Sequence, residues 1–314
     1  MGKSFCLRER LIDWRFKALL QLTLSWLPRG ERLNYLVQRY VVGSLPASDA
    51  EFSASVSYAK RHFNALQRNC SRPLSEASFY EFGAGWDMTI PLAFYGFGIG
   101  SQIVVDIRNL LRPHIFNLTI DKFQIFTSEL AIIRRPSAHF DQALRGFSSF
   151  LSEEYSIDYR APCDARHTGL PSSTVDCITS TSTLEHIPAN DTRLILRECR
   201  RILRDDGLIS ILIDYDDHYS YFDSKISSYN FLKYSDRHWA LFNPPLHYQN
   251  RLRHTDYVKL FESEGFEIVE EQRRDGRDAE LKTIEQMSIS DRFKTYSLLN
   301  LAVRNALFVL RKQG

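Results

Sequence analysis

In the stretch FYEFGAGWDMTIP, Phe79 to Pro91, the carboxylate of Glu81 stands just before the turn Gly83-Ala84-Gly85. Two glycines after a strand let the backbone turn tightly and bring its N–H groups against a ligand with no Cβ between them. About 20 residues on, Asp106 closes the apolar run QIVVD, the place from which a carboxylate accepts both hydroxyls of a ribose. Further along, PCDAR puts Asp164 at the end of another strand-like segment. There its carboxylate can take an amino hydrogen of an adenine while the Ala165 N–H serves a ring nitrogen. Together these groups would grip an adenosine. A dinucleotide fingerprint wants a third glycine at the position of Met88, and it is missing.

Two imidazoles stand where proton chemistry is wanted. His186 follows Glu185 in STSTLEHIP, and His218 follows Asp216 and Asp217 in DYDDHYSY. With an unperturbed pKa of about 6.5 either can accept a proton near neutral pH. His218 ranks first, because Asp216 and Asp217 would orient its ring. Arg251, Arg253 and His254 in QNRLRH form a positive group that would bind a phosphate or carboxylate, or pair with Asp216 and Asp217. Between them lie Tyr215, Tyr219, Tyr221, Phe222, Tyr229, Phe231, Tyr234, Trp239, Phe242 and Tyr248. Some of these rings would stack on a sugar or a flat ligand, and at least half are expected to pack the core.

The elements that must position these groups are strands alternating with helices, the pattern of a parallel sheet covered on both faces. Strands are expected at SFYEFGA, QIVVDI, YSIDYRA, STVDCITS, LISILIDY, FEIVEE and NALFVLRK. NDTRLILRECRRILRDDG reads as an amphipathic helix capped by Asn190 and Asp191 and closed by Gly207, and TDYVKLFESEG as one capped by Thr255 and stopped by Gly265. Residues 1–75 read as a helical N-terminal cap, punctuated by Pro28, Gly30, Pro46 and Pro73, that buries its apolar stripes on the main domain. The sharper alternative is a surface that touches membrane or closes over a substrate. Residues 76–314 make the main domain, with insertions at 108–154 and 216–255.

Composition removes several function classes. Across 314 residues, 40 Lys+Arg balance 38 Asp+Glu, so no broad positive field draws in a nucleic-acid backbone. The five cysteines are scattered without a C-x-x-C pair, which argues against structural zinc and for reduced thiols in the cytoplasm. No run of about 20 uncharged apolar residues and no secretory leader is read. MGKSFC is close to a myristoylation start, but Cys6 stands where Ser or Thr is wanted.

From about Phe79 to Arg274 the sequence resembles the class I S-adenosylmethionine-dependent methyltransferases. EFGAGWD is similar to their glycine motif, Asp106 to the ribose-binding acid, CDA to the adenine-side motif, and LPSSTVDCITSTSTLEHIP with LRECRRILRDDGLISI to the blocks around the fourth and fifth strands. One departure is Asp87, where many members have a further glycine. The resemblance implies a Rossmann-like seven-stranded sheet, mostly parallel with an antiparallel last strand. It implies S-adenosylmethionine as cofactor, held by Glu81, Gly83, Ala84, Gly85, Asp106, Asp164 and Ala165, and a small-molecule acceptor. The segment FLKYSDRHWALFNPPLHYQNRLRHTDY is similar to bacterial methyltransferases of polysaccharide and secondary-metabolite clusters, which implies methylation of a hydroxyl, with His218, His186 and Asp216 as catalytic candidates. LEH is also similar to metal-dependent O-methyltransferases of ubiquinone biosynthesis, which carry a further Glu three residues earlier. Ser182 stands there instead, and although Asp216, Asp217 and His218 would offer ligands for magnesium, no metal is expected. Alternatives are a non-catalytic subunit that keeps the fold, and an NAD-dependent oxidoreductase, against which the missing third glycine counts. Nucleic-acid methylation lacks its N/D-P-P-Y/F motif, since NPPL at Asn243 comes too late.

Overall fold

The computed structural model describes residues 13–27, 33, 35, 39, 45–126, 132–143 and 146–314. The myristoylation-like start, Cys6, Pro28 and Gly30 lie outside the described residues. All seven expected strands form: β1 (Ser78–Phe82), β2 (Ser101–Val105), β3 (Ile157–Arg160), β4 (Val175–Thr181), β5 (Leu203–Asp214), β6 (Phe266–Arg274) and β7 (Asn305–Lys312). They make one sheet in the order β3-β2-β1-β4-β5-β7-β6, with β7 antiparallel to both β5 and β6 and the other pairs parallel. The chain moves outward from β1 through β2 to β3 and then returns to β4 on the other side of β1. That reversal opens a crevice at the carboxyl ends of β1 and β4, where ligands of such sheets collect.

Period-2 alternation sends neighbouring strand residues into opposite layers. Phe79 joins one core with Phe52, Val56 and Phe94, whereas Tyr80 and Phe82 join the other with Ile195, Leu196 and Phe261. The first layer is covered by α2 (Asp49–Asn69), α3 (Thr89–Gly96), α4 (Pro113–Phe126) and α5 (Phe147–Tyr155), and the second by α6 (Ala189–Ile202) and α7 (His254–Ser263). Among the described residues, 108–154 holds α4 and all but the last residue of α5.

Three expectations about element limits need correction. The boundary near residue 75 does not separate a cap from a domain, because α2 belongs to the sheet layer. Ser48 and Glu51 cap it reciprocally, and His62, fully buried, reaches Ser210 on β5 at 2.8 Å and Thr181 on β4 at 3.2 Å. Burial pulls the His62 pKa down to about 3, so it bonds as a neutral ring. Helix α6 is entered from Pro188, and Gly207 does not close it. The chain passes straight into β5, where Leu203 pairs with Val175. Helix α7 starts at His254, with Asp256 reaching back to the Arg253 N–H, so Thr255 is not its cap.

Among the described residues, α1 (Trp14–Trp26), the turns of 216–248 and the segment 281–302 share a third apolar cluster beside the sheet layers. Trp14 lies among Tyr219, Tyr234, Trp239 and Phe242 with ring centroids 4.9–6.4 Å away, and its N–H donates to Asp223 at 3.2 Å. The outer side of α1 leaves Phe16, Leu19 and Trp26 exposed. No helix among the described residues is long and apolar enough to cross a membrane.

Candidate active site

A cleft of about 1140 Å³ opens over the carboxyl ends of β1, β2 and β4. Its floor is the glycine turn. Gly83 and Gly85 have φ of +87° and +69°, the left-handed region that a side chain resists. The two glycines serve different ends. A Cβ at Gly83 would stand 2.2 Å from Thr183 Oγ1, whereas one at Gly85 would meet nothing within 4 Å and point into open space. Met88, where a third glycine was missing, itself takes φ +60° ahead of α3. Asp87 accepts from the Thr89 N–H at 3.1 Å, and so serves the start of that helix.

Asp106 ends β2 at the cleft wall, its carboxylate accepting from the Gly85 N–H at 3.1 Å and the Arg108 N–H at 2.9 Å. The glycine turn and the acid are therefore one hydrogen-bonded unit. Glu81 lies beneath, 3% exposed, with the Thr179 hydroxyl 3.3 Å away. Burial pushes its pKa up to about 8, leaving a carboxyl mostly protonated at neutral pH. Asp164 and Ala165 line the same cleft, with the Asp164 carboxylate gripped by Arg166 at 2.7–3.0 Å, which holds its pKa below the usual range. Arg166 also reaches Asp191 at 2.8 Å. An acid beside an uncovered glycine turn, with a second polar wall opposite, fits an adenosyl group.

The acceptor side departs further from expectation. Asp216 does not orient His218, because it is paired with Arg304, which also bonds Glu280 at 2.6 Å. Asp217 accepts from the Tyr219 N–H at 2.9 Å and from Asn230 at 3.1 Å, and so fixes a turn. Neither is available for magnesium. The carboxylate that faces His218 is Asp214, at the last position of β5, 3.4 Å from Nε2 and also bonded by the Tyr221 hydroxyl. Burial opposes charge on His218, but Asp214, Glu185 and Asp217 outweigh it and its pKa is raised.

The positive group of QNRLRH is spent internally. Arg253, fully buried, donates to the carbonyls of Tyr215, Leu301 and Val303 at 2.7–2.9 Å. Arg251 donates to Phe231 and Tyr234 carbonyls and to Asp236, and His254 faces Glu271 at 3.2 Å. Tyr215, Tyr219, Tyr229, Phe231 and Trp239 are packed in the core, while Tyr221 is half exposed and Tyr248 lines the cleft.

His186 forms part of the cleft wall, its Nδ1 bonded to the Tyr248 carbonyl at 2.7 Å. Burial, with the charge of His218 nearby, draws its pKa down to about 4. His218 packs behind it, with ring centroids 4.8 Å apart, and His247 lies 6.3–6.5 Å from both. Glu185 completes the group, 4% exposed, and burial pushes its carboxyl up to about 8. Asn250 holds the turn that carries Glu185 and His186 by bonding the Leu184 and Ile187 carbonyls at 2.8 Å. Sequence reasoning passed over Asp214, His247 and Asn250, and set Glu185 aside with the metal reading. A strand-final aspartate, the signal that marked Asp106, would also have found Asp214.

A family model described as a methyltransferase domain matches residues 146–211. Among solved structures, the chain is similar to the YcgJ protein of Bacillus subtilis, with 14% identity, 81% of this chain and 100% of that one covered, and a TM-score of 0.43. It is likewise similar to an S-adenosylmethionine-dependent methyltransferase of Methanosarcina mazei, at 10% identity, 79% and 97% coverage and 0.45. A third is phosphoethanolamine N-methyltransferase 2 of Haemonchus contortus, solved with S-adenosylhomocysteine, at 13% identity, 89% and 59% coverage and 0.44. No curated protein matches the chain. The strand order is that of a Rossmann-like, seven-stranded class I methyltransferase sheet, and the matched methyltransferase domain runs from the start of α5 into β5.

Proposed function

We propose that this protein transfers a methyl group from S-adenosylmethionine to a hydroxyl of a small molecule, a sugar or a secondary metabolite. The observation that carries the reading is the crevice itself. An uncovered glycine turn bonded to Asp106 meets, across the ends of β1 and β4, a cluster of imidazoles and carboxyls that the cofactor does not need.

Gly83, Ala84 and Gly85 offer backbone to the ligand, Asp106 accepts from the ribose hydroxyls, and Asp164 and Ala165 face the adenine. Glu81 holds the turn from below as a neutral carboxyl. Bound S-adenosylmethionine supplies a methyl group already activated by its sulfonium, so the protein's task is placement. A hydroxyl acceptor grows acidic as it is methylated, and a positioned group that relieves it of its proton contributes roughly 10²- to 10⁴-fold. His186 and His218 are the groups offered for that, with Asp214 rather than Asp216 positioning His218.

A metabolite extract incubated with the protein and methyl-labelled cofactor tests the reading by mass spectrometry. Labelled small molecules are expected, carrying the label on oxygen, and absent when Asp106→Ala protein is used. Cofactor binding without any labelled product would overturn transfer in favour of a binding subunit.

A further inference from the structure

The cluster at the tips of β4 and β5 holds more polar atoms than its own contacts use. Glu185, His186 and His218 each present one ligand atom, all within 4.8 Å of one another. Both Glu185 oxygens are buried with no hydrogen-bond partner, and buried His218 Nε2 has only the Asp214 carboxylate, 3.4 Å away and poorly aligned for a hydrogen bond. Buried polar atoms are almost always satisfied, and a carboxyl with neither oxygen paired asks for an explanation. The rest of the surroundings is well bonded: Asn250 ties the local carbonyls, and its backbone N–H donates to the Glu185 carbonyl at 2.8 Å. Besides the side chains that converge, His247 Nε2 is left over, its ring centroid 6.3–6.5 Å from those of His218 and His186.

We infer that Glu185, His186 and His218 bind a divalent transition-metal ion of the zinc type, with an open coordination position toward the acceptor. Two imidazole nitrogens and one carboxylate oxygen are the donor set of zinc sites that keep a fourth position free. Imidazole suits zinc, cobalt or nickel, whereas magnesium prefers an all-oxygen shell. With ligands at about 2.0–2.2 Å, such an ion draws the three groups together by small side-chain rotations.

The outer contacts agree. The Tyr248 carbonyl accepts a hydrogen bond from His186 Nδ1–H, which fixes the tautomer that presents Nε2, the usual arrangement of a metal-bound histidine. Asp214, 3.4 Å from His218 Nε2, keeps that ring turned into the cluster. The sequence argued against a metal because Ser182 replaces a second Glu before LEH. The third ligand comes instead from the turn His218–Tyr221 just after β5, the strand that pairs with β4, far along the sequence from LEH.

The ion site stands on the geometry of these side chains; its role toward the acceptor rests on the methyl-transfer reading. On that reading a bound ion would polarise the acceptor hydroxyl and ease the loss of its proton; with the ion bound His186 and His218 would be its ligands, and without it they are the proton acceptors proposed above.

Full-length protein stripped with chelator and titrated with Zn²⁺ and Co²⁺ tests the site by equilibrium dialysis and by the visible spectrum of bound Co²⁺. One ion per chain is expected. Glu185→Gln and His218→Gln should each weaken binding by tenfold or more and alter the cobalt spectrum, with circular dichroism showing that the variants fold. Asp214→Asn, which spares the ligands, should weaken it less. No stoichiometric binding, or binding equal in wild type and both ligand variants, overturns the site. Cofactor affinity, measured on the same stripped protein, is expected to persist. Its absence would count against methyl transfer and not against the ion.

Discussion

The two halves of the crevice are built by opposite means. On the cofactor half, the chain withholds side chains: Gly85 faces open space, and Asp106 is fastened to the turn it serves. On the acceptor half, the chain supplies side chains in excess and spends most of them on itself. Arg253, Arg251 and Asp216, each chemically suited to a ligand, satisfy carbonyls or opposite charges of the fold. A functional site made of backbone is thus readable from spacing, whereas one made of side chains depends on which of them the packing leaves unpaired.

The largest effect should come from Gly83→Val. Its Cβ collides with Thr183 and its φ is left-handed, so about 2–5 kcal/mol of stability is expected to go, read as a fall in the denaturant midpoint. Arg253→Met should cost about 2–4 kcal/mol by orphaning three carbonyls, yet leave cofactor affinity in the folded protein unchanged. Were affinity to fall in step, the two halves would not be separable as described. Asp106→Ala should do the reverse, weakening cofactor binding by about 1.5–3 kcal/mol in calorimetry with little change in folding. Gly85→Ala should lose about 1–2 kcal/mol of stability from its positive φ alone, with no clash to add.

The last effect is read as a change with pH and not at one pH. Glu81 keeps its proton to about pH 8 in the folded chain against an ordinary value of 4.5. Between those values the folded state binds more protons than the unfolded, so stability declines as pH rises through that window. Glu81→Gln removes the decline, and its Tm relative to wild type should climb from about pH 5 to about pH 8. A constant difference would mean that Glu81 is ionised in the fold.

The strands were legible because alternation and β-branched runs are local signals, and Asp106 because its distance from the glycines is set by one crossover. Helix α2 was misread as part of a cap. Its buried residues Phe52, Val56, Ala59, Ala65 and Leu66 are interleaved with charge, and nothing local says that His62 will meet Ser210. Burial of Arg253 was equally invisible, since its acceptors lie on β5's exit and on the approach to β7. Glu185 was set aside with the metal reading of LEH because Ser182 stands where a further Glu was wanted, and nothing local says that both its oxygens are sealed.

The missing Cβ of Gly83 has a mechanical side. The volume it vacates is filled by Thr183, whose own hydroxyl is tied back to the Thr181 carbonyl at 3.0 Å. The loop that carries Glu185 and His186 is therefore keyed into the cofactor's floor like a tooth in a notch. A shift of the glycine turn on ligand entry would be felt directly by the groups that face the acceptor, with no helix or hinge between them.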